Sequence, residues 1–248
     1  MRFTVLLPFV KTIRSLWRLL FFVIFTTRIV AEIWLRNTIQ GVDLHRSMRV
    51  RRYWARRVLQ GVGVRITTKG DPPAYPCLMV ANHRSYLDPI IMLCDVDAWP
   101  VAKAELAGWP VIGKGAQMAG ILYLRREDVK HRASILDKIA GTIHKGFPVI
   151  LFPEGTTSDL TGTLPFKKGG FVVAAKHGFK VVPAALVFAD KRDFWVGKDT
   201  FLQHATRRFK EKYINIQVVY GPAIQHEDAA ILNEMAHEWI NQCLNGLE

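Results

Sequence analysis

Two short apolar runs constrain this chain more than any other feature. Cys77-Leu78-Met79-Val80-Ala81 leads straight into Asn82-His83-Arg84-Ser85-Tyr86-Leu87-Asp88-Pro89, and Pro148-Val149-Ile150-Leu151 leads into Phe152-Pro153-Glu154-Gly155-Thr156. Unbroken apolar runs of this length read as strands buried on both faces, the kind found in parallel sheets. Such sheets gather their reactive groups beyond the carboxyl ends of the strands. Both runs deliver polar residues at that end, which predicts a single site at one edge of a sheet. The first run supplies a base and its orienter, the second a carboxylate beside a tight turn.

His83 and Asp88 cannot meet on regular backbone. At this spacing a continuous helix would separate the two side chains by about 140°, and a straight strand would point them to opposite faces. The chain must turn between them. A strand end near Ala81 and a helix start at Asp88-Pro89, read as an N-cap followed by proline at the first helical position, provide that turn. One ring nitrogen of His83 can then donate to Asp88 while the other takes a proton from a substrate hydroxyl. Singly, Asp88 reads as a helix cap and His83 as an interior histidine. Together with the second motif they read as a catalytic pair.

Further strands are expected near 64–68, 99–102, 121–124, 181–187 and 216–220, and helices over 89–94, 129–145, 169–177 and 228–244. This alternation predicts an α/β fold with a mostly parallel or mixed central sheet covered by helices. Segment 190–209 resists assignment, and its Phe194, Trp195 and Phe201 are expected to cover the core. Three cysteines, Cys77, Cys94 and Cys243, show no metal-like spacing, so no metal site is expected, and their low odd number fits a reducing compartment. His131, His144 and His177 are read as surface residues of helices. Gly113-Lys114-Gly115 lacks the spacing of a nucleotide loop. The absence of Gly-x-Ser-x-Gly argues against a serine hydrolase.

The net charge of +13 is concentrated at one end. Residues 1–70 hold 14 of the 34 lysines and arginines but only Glu32 and Asp43 among the acids. Residues 1–62 are therefore read as hydrophobic and basic membrane-associating helices, and 63–248 as the catalytic domain. The apolar stretch 19–35 spans about 25 Å as a helix, short of the ~30 Å hydrocarbon core. It is expected to dip into one leaflet, with a single span as the alternative if flanking residues join in, and Arg28 and Glu32 are spaced so that they can pair. Over 46–59, Val50, Trp54 and Val58 form one stripe and Arg49, Arg52 and Arg56 another, the pattern of a helix lying on anionic lipid. No small-x-small cleavage site follows the apolar stretch, so it does not read as a signal peptide. The arginine bias favours the cytoplasmic face. Nucleic acid is not expected as a partner, because no binding motif accompanies the basic patch.

The motif residues resemble the glycerolipid acyltransferase family, typified by 1-acyl-sn-glycerol-3-phosphate acyltransferases. Four blocks occur in order: Asn82-His83 to Asp88-Pro89, Gly120-Ile121-Leu122-Tyr123-Leu124-Arg125-Arg126, Phe152-Pro153-Glu154-Gly155-Thr156 with Ser158, and Val181-Val182-Pro183-Ala184. Lys103-Ala104-Glu105-Leu106 and Pro165-Phe166-Lys167-Lys168-Gly169 are subsidiary matches. The resemblance implies a membrane-associated O-acyltransferase. Its donor would be a thioester, acyl-CoA or acyl carrier protein, with no further cofactor. Its acceptor would be the free hydroxyl of a lysolipid, first 1-acylglycerol-3-phosphate. His83 would be the base and Asp88 its orienter. Arg126 would contact an acceptor phosphate, with Arg125 and Lys103 as further cations. Glu154, Gly155 and Thr156 would shape the acceptor pocket, and Pro183 would fix a strand end near the site. Thr157 stands where many phosphatidate-forming members carry arginine, which opens the alternative of a lyso-aminolipid such as lyso-ornithine lipid, or another lysophospholipid. A thioesterase would use water as acceptor. A non-catalytic membrane-binding protein would show a broken His/Asp or Pro-Glu-Gly block, and both blocks are intact.

Overall fold

A computed structural model describes residues 3–109, 112–125 and 128–246. Two helices come first, α1 (Phe3–Gln40) and α2 (Leu44–Val62), followed by β1 (Val64–Lys69), β2 (Leu78–Ala81) and α3 (Asp88–Met92). Next are β3 (Trp99–Lys103), α4 (Ile112–Met118), β4 (Leu122–Leu124), α5 (Val129–His144), β5 (Val149–Leu151) and α6 (Gly169–His177). The chain closes with β6 (Val181–Phe188), α7 (Phe201–Arg208), β7 (Ile214–Tyr220) and α8 (Ala229–Asn245).

The strands form one seven-stranded sheet in the order β1-β7-β6-β2-β5-β3-β4. Neighbours are parallel except β6 and β7, so the sheet is mixed, as the alternation predicted. All four residues of β2 are buried. Side chains alternate along a strand: Leu78 and Val80 enter a core with Ile139, Phe171 and Ala236 of α5, α6 and α8. Met79 and Ala81 enter a second core with Leu59 of α2, Ile91 of α3 and Ala205 of α7.

The fold corrects three sequence readings. Pro183 does not end a strand, because β6 runs on through it to Phe188. Its carbonyl accepts from Gly221 N at 2.8 Å, so its missing N–H faces the side where β7 has already stopped at Tyr220. Glu32 pairs with Arg36 at 2.8 Å rather than with Arg28. The apolar stripe of α2 faces inward, with Val58 buried and Val50 and Trp54 packed against the body, while Arg49 and Arg56 are exposed. Arg51 is buried and donates to the carbonyls of Ala119, Gly120 and Ala98 at 2.7, 2.7 and 2.6 Å. Arg56 Nε donates to Cys94 O at 2.8 Å, and Arg52 lies 3.5 Å from Asp97. Arg18 of α1 does the same for the chain after α7, donating to Phe209, Glu211 and Lys212 carbonyls at 3.1, 2.6 and 2.9 Å. Carbonyls left over at helix ends need donors, and these arginines supply them. Burial lowers the Arg51 pKa to about 10, which leaves the guanidinium charged at neutral pH.

The outward face of α1 is apolar. Leu16, Trp17, Leu20, Val23, Ile24 and Trp34 are exposed, while Ser15, Arg18 and Thr26 are buried against the body. Spacings of three and four put the exposed residues on one stripe. No helix among the described residues is long and apolar enough to cross a membrane.

Candidate active site

Register brings the two motifs together. β2 and β5 are parallel neighbours with Val80 opposite Leu151. His83 and Glu154 each follow that pair at the same offset, so they leave the sheet side by side. His83 N donates to Glu154 Oε1 at 2.7 Å. The His83 ring stacks on Phe152, with centroids 4.6 Å apart.

The turn between His83 and Asp88 forms as the spacing required. His83 Nδ1 lies 2.7 Å from Asp88 Oδ2, and the same oxygen accepts from Arg84 N at 2.6 Å and Ser85 N at 2.7 Å. Asp88 is therefore not the N-cap. Leu87 flanks α3, and the Asp88 carboxylate turns back over the preceding turn, where amide donors await it. Asp88 is fully buried, whereas the His83 side chain keeps 21% of its surface. An imidazole held at Nδ1 by a buried carboxylate presents Nε2 as its proton acceptor.

Behind the pair lies a buried polar network. Glu154 Oε2 accepts from Leu164 N at 2.8 Å and Ser158 Oγ at 3.1 Å, and lies 3.6 Å from Arg84 Nη1. Arg84 also bonds Ser158 Oγ, the Ser158 carbonyl at 3.2 Å and Gly162 O at 2.6 Å. Burial lowers the Arg84 pKa, while Glu154 and Asp88 oppose that shift. The Glu154 carboxylate thus faces protein groups and fixes the backbone of His83, instead of lining a pocket. Gly155 has φ 75°, and a Cβ there would strike the Lys167 ammonium. Asn82 ties the end of β2 to β6 through both sides of Leu186, at 2.9 and 2.7 Å.

The other expected site residues are more dispersed. Thr156 is exposed on the turn. Thr157 donates to Trp195 O at 2.6 Å. Lys103 ends β3 opposite Leu124 near the edge of the sheet, and Arg125 is the next residue after Leu124. Arg126 lies outside the described residues. Pro183 is buried within β6, opposite Val80. The sequence reading missed Tyr86, whose ring packs on Phe201 at 4.8 Å and Trp195 at 5.6 Å, with its hydroxyl 3.3 Å from His204 Nδ1. It also missed Arg84 as the partner of Glu154, although both stand inside the motifs.

Fold and site define the class: an α/β enzyme with a histidine–aspartate pair at the carboxyl edge of its sheet. Residues 63–187 match the family model described as Acyltransferase. The chain is 29% identical over 237 residues to lyso-ornithine lipid O-acyltransferase of Pseudomonas aeruginosa, covering 92% of each. It is 34% identical over 138 residues to 1-acyl-sn-glycerol-3-phosphate acyltransferase of Neisseria meningitidis, covering 55% of this chain and 54% of that one. The crystal structure of the 1-acyl-sn-glycerophosphate acyltransferase PlsC of Thermotoga maritima shares the fold, with TM-score 0.77, 17% identity and 97% of each chain covered. The chain belongs to the acyltransferase family.

Proposed function

We propose that this acyltransferase esterifies the free hydroxyl of a lysolipid at a membrane surface, using a fatty acyl thioester of coenzyme A or acyl carrier protein. The observation that carries the chemistry is the His83–Asp88 contact at 2.7 Å beside a part-exposed ring. His83 Nε2 takes the hydroxyl proton as the lipid oxygen attacks the thioester carbonyl. The tetrahedral intermediate collapses, the carbon–sulfur bond breaks, and the leaving thiolate takes the proton back from the imidazolium. Asp88 stabilises that imidazolium. The exposed face of α1 supports placement in one leaflet, and the arginine bias favours the cytoplasmic one.

Two acceptors are each favoured by an observation. Lys103, at the end of β3 near the sheet edge, suits the phosphate of 1-acylglycerol-3-phosphate. Similarity over 92% of both chains to a lyso-ornithine lipid O-acyltransferase, with Thr157 spent on Trp195, suits the lyso-aminolipid. The test incubates the protein with a thioester donor and both lysolipids and identifies products by mass spectrometry. His83→Ala should lose ~10²–10⁴ in rate while its circular dichroism and vesicle binding hold. Near-normal turnover of that variant would end the mechanism. Thiol release that needs no lipid acceptor would make the protein a thioesterase.

A further inference from the structure

Most of the N-terminal arginines are committed to the protein, as Arg18, Arg51, Arg52 and Arg56 show. Four others gather in one place. A cleft of about 460 Å³ between α1 and α2 is lined by Arg28, Arg36, Arg46 and Arg49, with Glu32 as its one acid, for a net charge of +3. Arg36 is neutralised by Glu32. Arg46 is held in place by neutral groups, Gln40 Oε1 at 2.8 Å, Gly41 O at 2.5 Å and Asn37 Oδ1 at 3.3 Å, and Asp43 acts on its guanidinium only through space. Its Nε is buried and has no hydrogen-bond partner among the described residues. Arg28 and Arg49 are exposed, and among the described residues neither forms an ion pair.

We infer that this cleft binds the phosphoryl headgroup of an anionic membrane lipid. The inference rests on the leaflet placement of α1 proposed above and adds a ligand site to it. Guanidinium forks match phosphate oxygens. An apolar surface on the same helix favours a lipid over a free anion: Trp34, Leu35 and Ile39 are 59, 51 and 72% exposed. With that apolar face among acyl chains, Arg28 and Arg49 lie at headgroup depth. None of the residues around His83 lines the cleft, so an anionic lipid held there leaves the acceptor site open.

The experiment measures co-sedimentation of the full chain with neutral phosphatidylcholine vesicles and with vesicles containing phosphatidylglycerol. Wild type should bind both, and the anionic ones more tightly. Arg28→Gln/Arg49→Gln should lose about fivefold per arginine from the anionic gain and nothing on neutral vesicles. Lys11→Gln/Lys114→Gln, which removes two cations outside the cleft, should keep the gain. Equal losses in the two double variants would show diffuse charge attraction and overturn the site, as would an undiminished gain in the first. Wild type that binds neither vesicle would overturn the leaflet placement instead. A further arm compares thermal stabilisation by inorganic phosphate and by short-chain phosphatidylglycerol. Stabilisation by the lipid alone, lost in the Arg28/Arg49 variant, supports the inference. Equal stabilisation by phosphate would assign the cleft to a soluble anion and overturn it.

Discussion

The corner around His83 and the outer face of α1 treat polarity in opposite ways. The corner buries charge: Arg84 is 1% exposed and Asp88 0%, each bonded to neighbouring groups. The helix exposes hydrocarbon: Trp17 is 66% exposed and Leu16 59%. A buried polar atom is costly without a partner, and in the corner protein groups supply partners to Asp88 Oδ2 and the Arg84 fork, while Asp88 Oδ1 has none among the described residues. A contiguous apolar surface this long is also costly in water, and among the described residues no protein group covers it. The outer face of α1 is thus the part of the molecule that still lacks a partner among the described residues.

The sharpest way to break this comparison is to ask whether the corner is built for chemistry or for stability alone. Asp88→Asn keeps an oxygen for the amides of Arg84 and Ser85 but no longer stabilises an imidazolium. Turnover should fall on the order of 10²–10⁴ with little change in the unfolding midpoint. A stability loss without a turnover loss would make Asp88 a structural cap.

Arg84→Met comes next. It leaves the Glu154 carboxylate buried beside no cation, which should cost about 3–5 kcal/mol of stability, read by urea unfolding. Adding Glu154→Gln should restore part of the loss. If the double variant is as unstable as the sum of the singles, the two groups do not act as a pair.

How much of this was legible in the sequence depends on how far each partner lies along the chain. β2 and β5 were readable because strands buried on both faces lose the polar alternation. The His83–Asp88 turn was readable because its spacing forbids regular backbone. The meeting of His83 with Glu154 depends on register across elements far apart in sequence, and only the shared chemistry of the two motifs hinted at it. The N-terminal arginines were only partly legible for the same reason. Their charge is visible in the sequence, but the carbonyls of Ala98, Gly120 and Phe209 that claim Arg51 and Arg18 are not. Helix α7 did carry a local signal. Thr200 and Gln203 form a reciprocal capping box at its start, obscured by the polar composition of 203–208. Pro183 misled because a proline inside a sheet is excluded only where its N–H would be needed.

On the α1 side, Trp17→Ser should weaken vesicle binding by about 1.5–3 kcal/mol, roughly one to two decades in partition. Turnover on a detergent-dispersed acceptor should hold. A matching loss on dispersed acceptor would mean that the outer face of α1 serves the protein's own packing, and the contrast with the corner would collapse.

The smallest effect probes the seam that joins the two regions. Helix α7 touches both: Phe201 packs on Phe22 of α1 and on Tyr86 of the catalytic turn, and Ser15 donates to Thr206 O at 2.8 Å. His204 of α7 is buried against Tyr86, and burial, aided by Arg207, pushes its pKa below the ordinary 6.5. The unfolded chain therefore takes this proton at higher pH than the folded one. Stability linked to His204 is present above 6.5 and is lost as pH falls from 6.5 towards the lowered folded value. Unfolding midpoints at pH 7.5 and 5.5 should drop more for wild type than for His204→Gln, by about 1 kcal/mol or less. The acid-induced loss should also show in vesicle-bound turnover, because the seam carries contacts from α1 to Tyr86. Parallel pH curves for the two proteins would mean that no proton acts at the seam and that aromatic packing alone joins α1 to the His83–Asp88 turn.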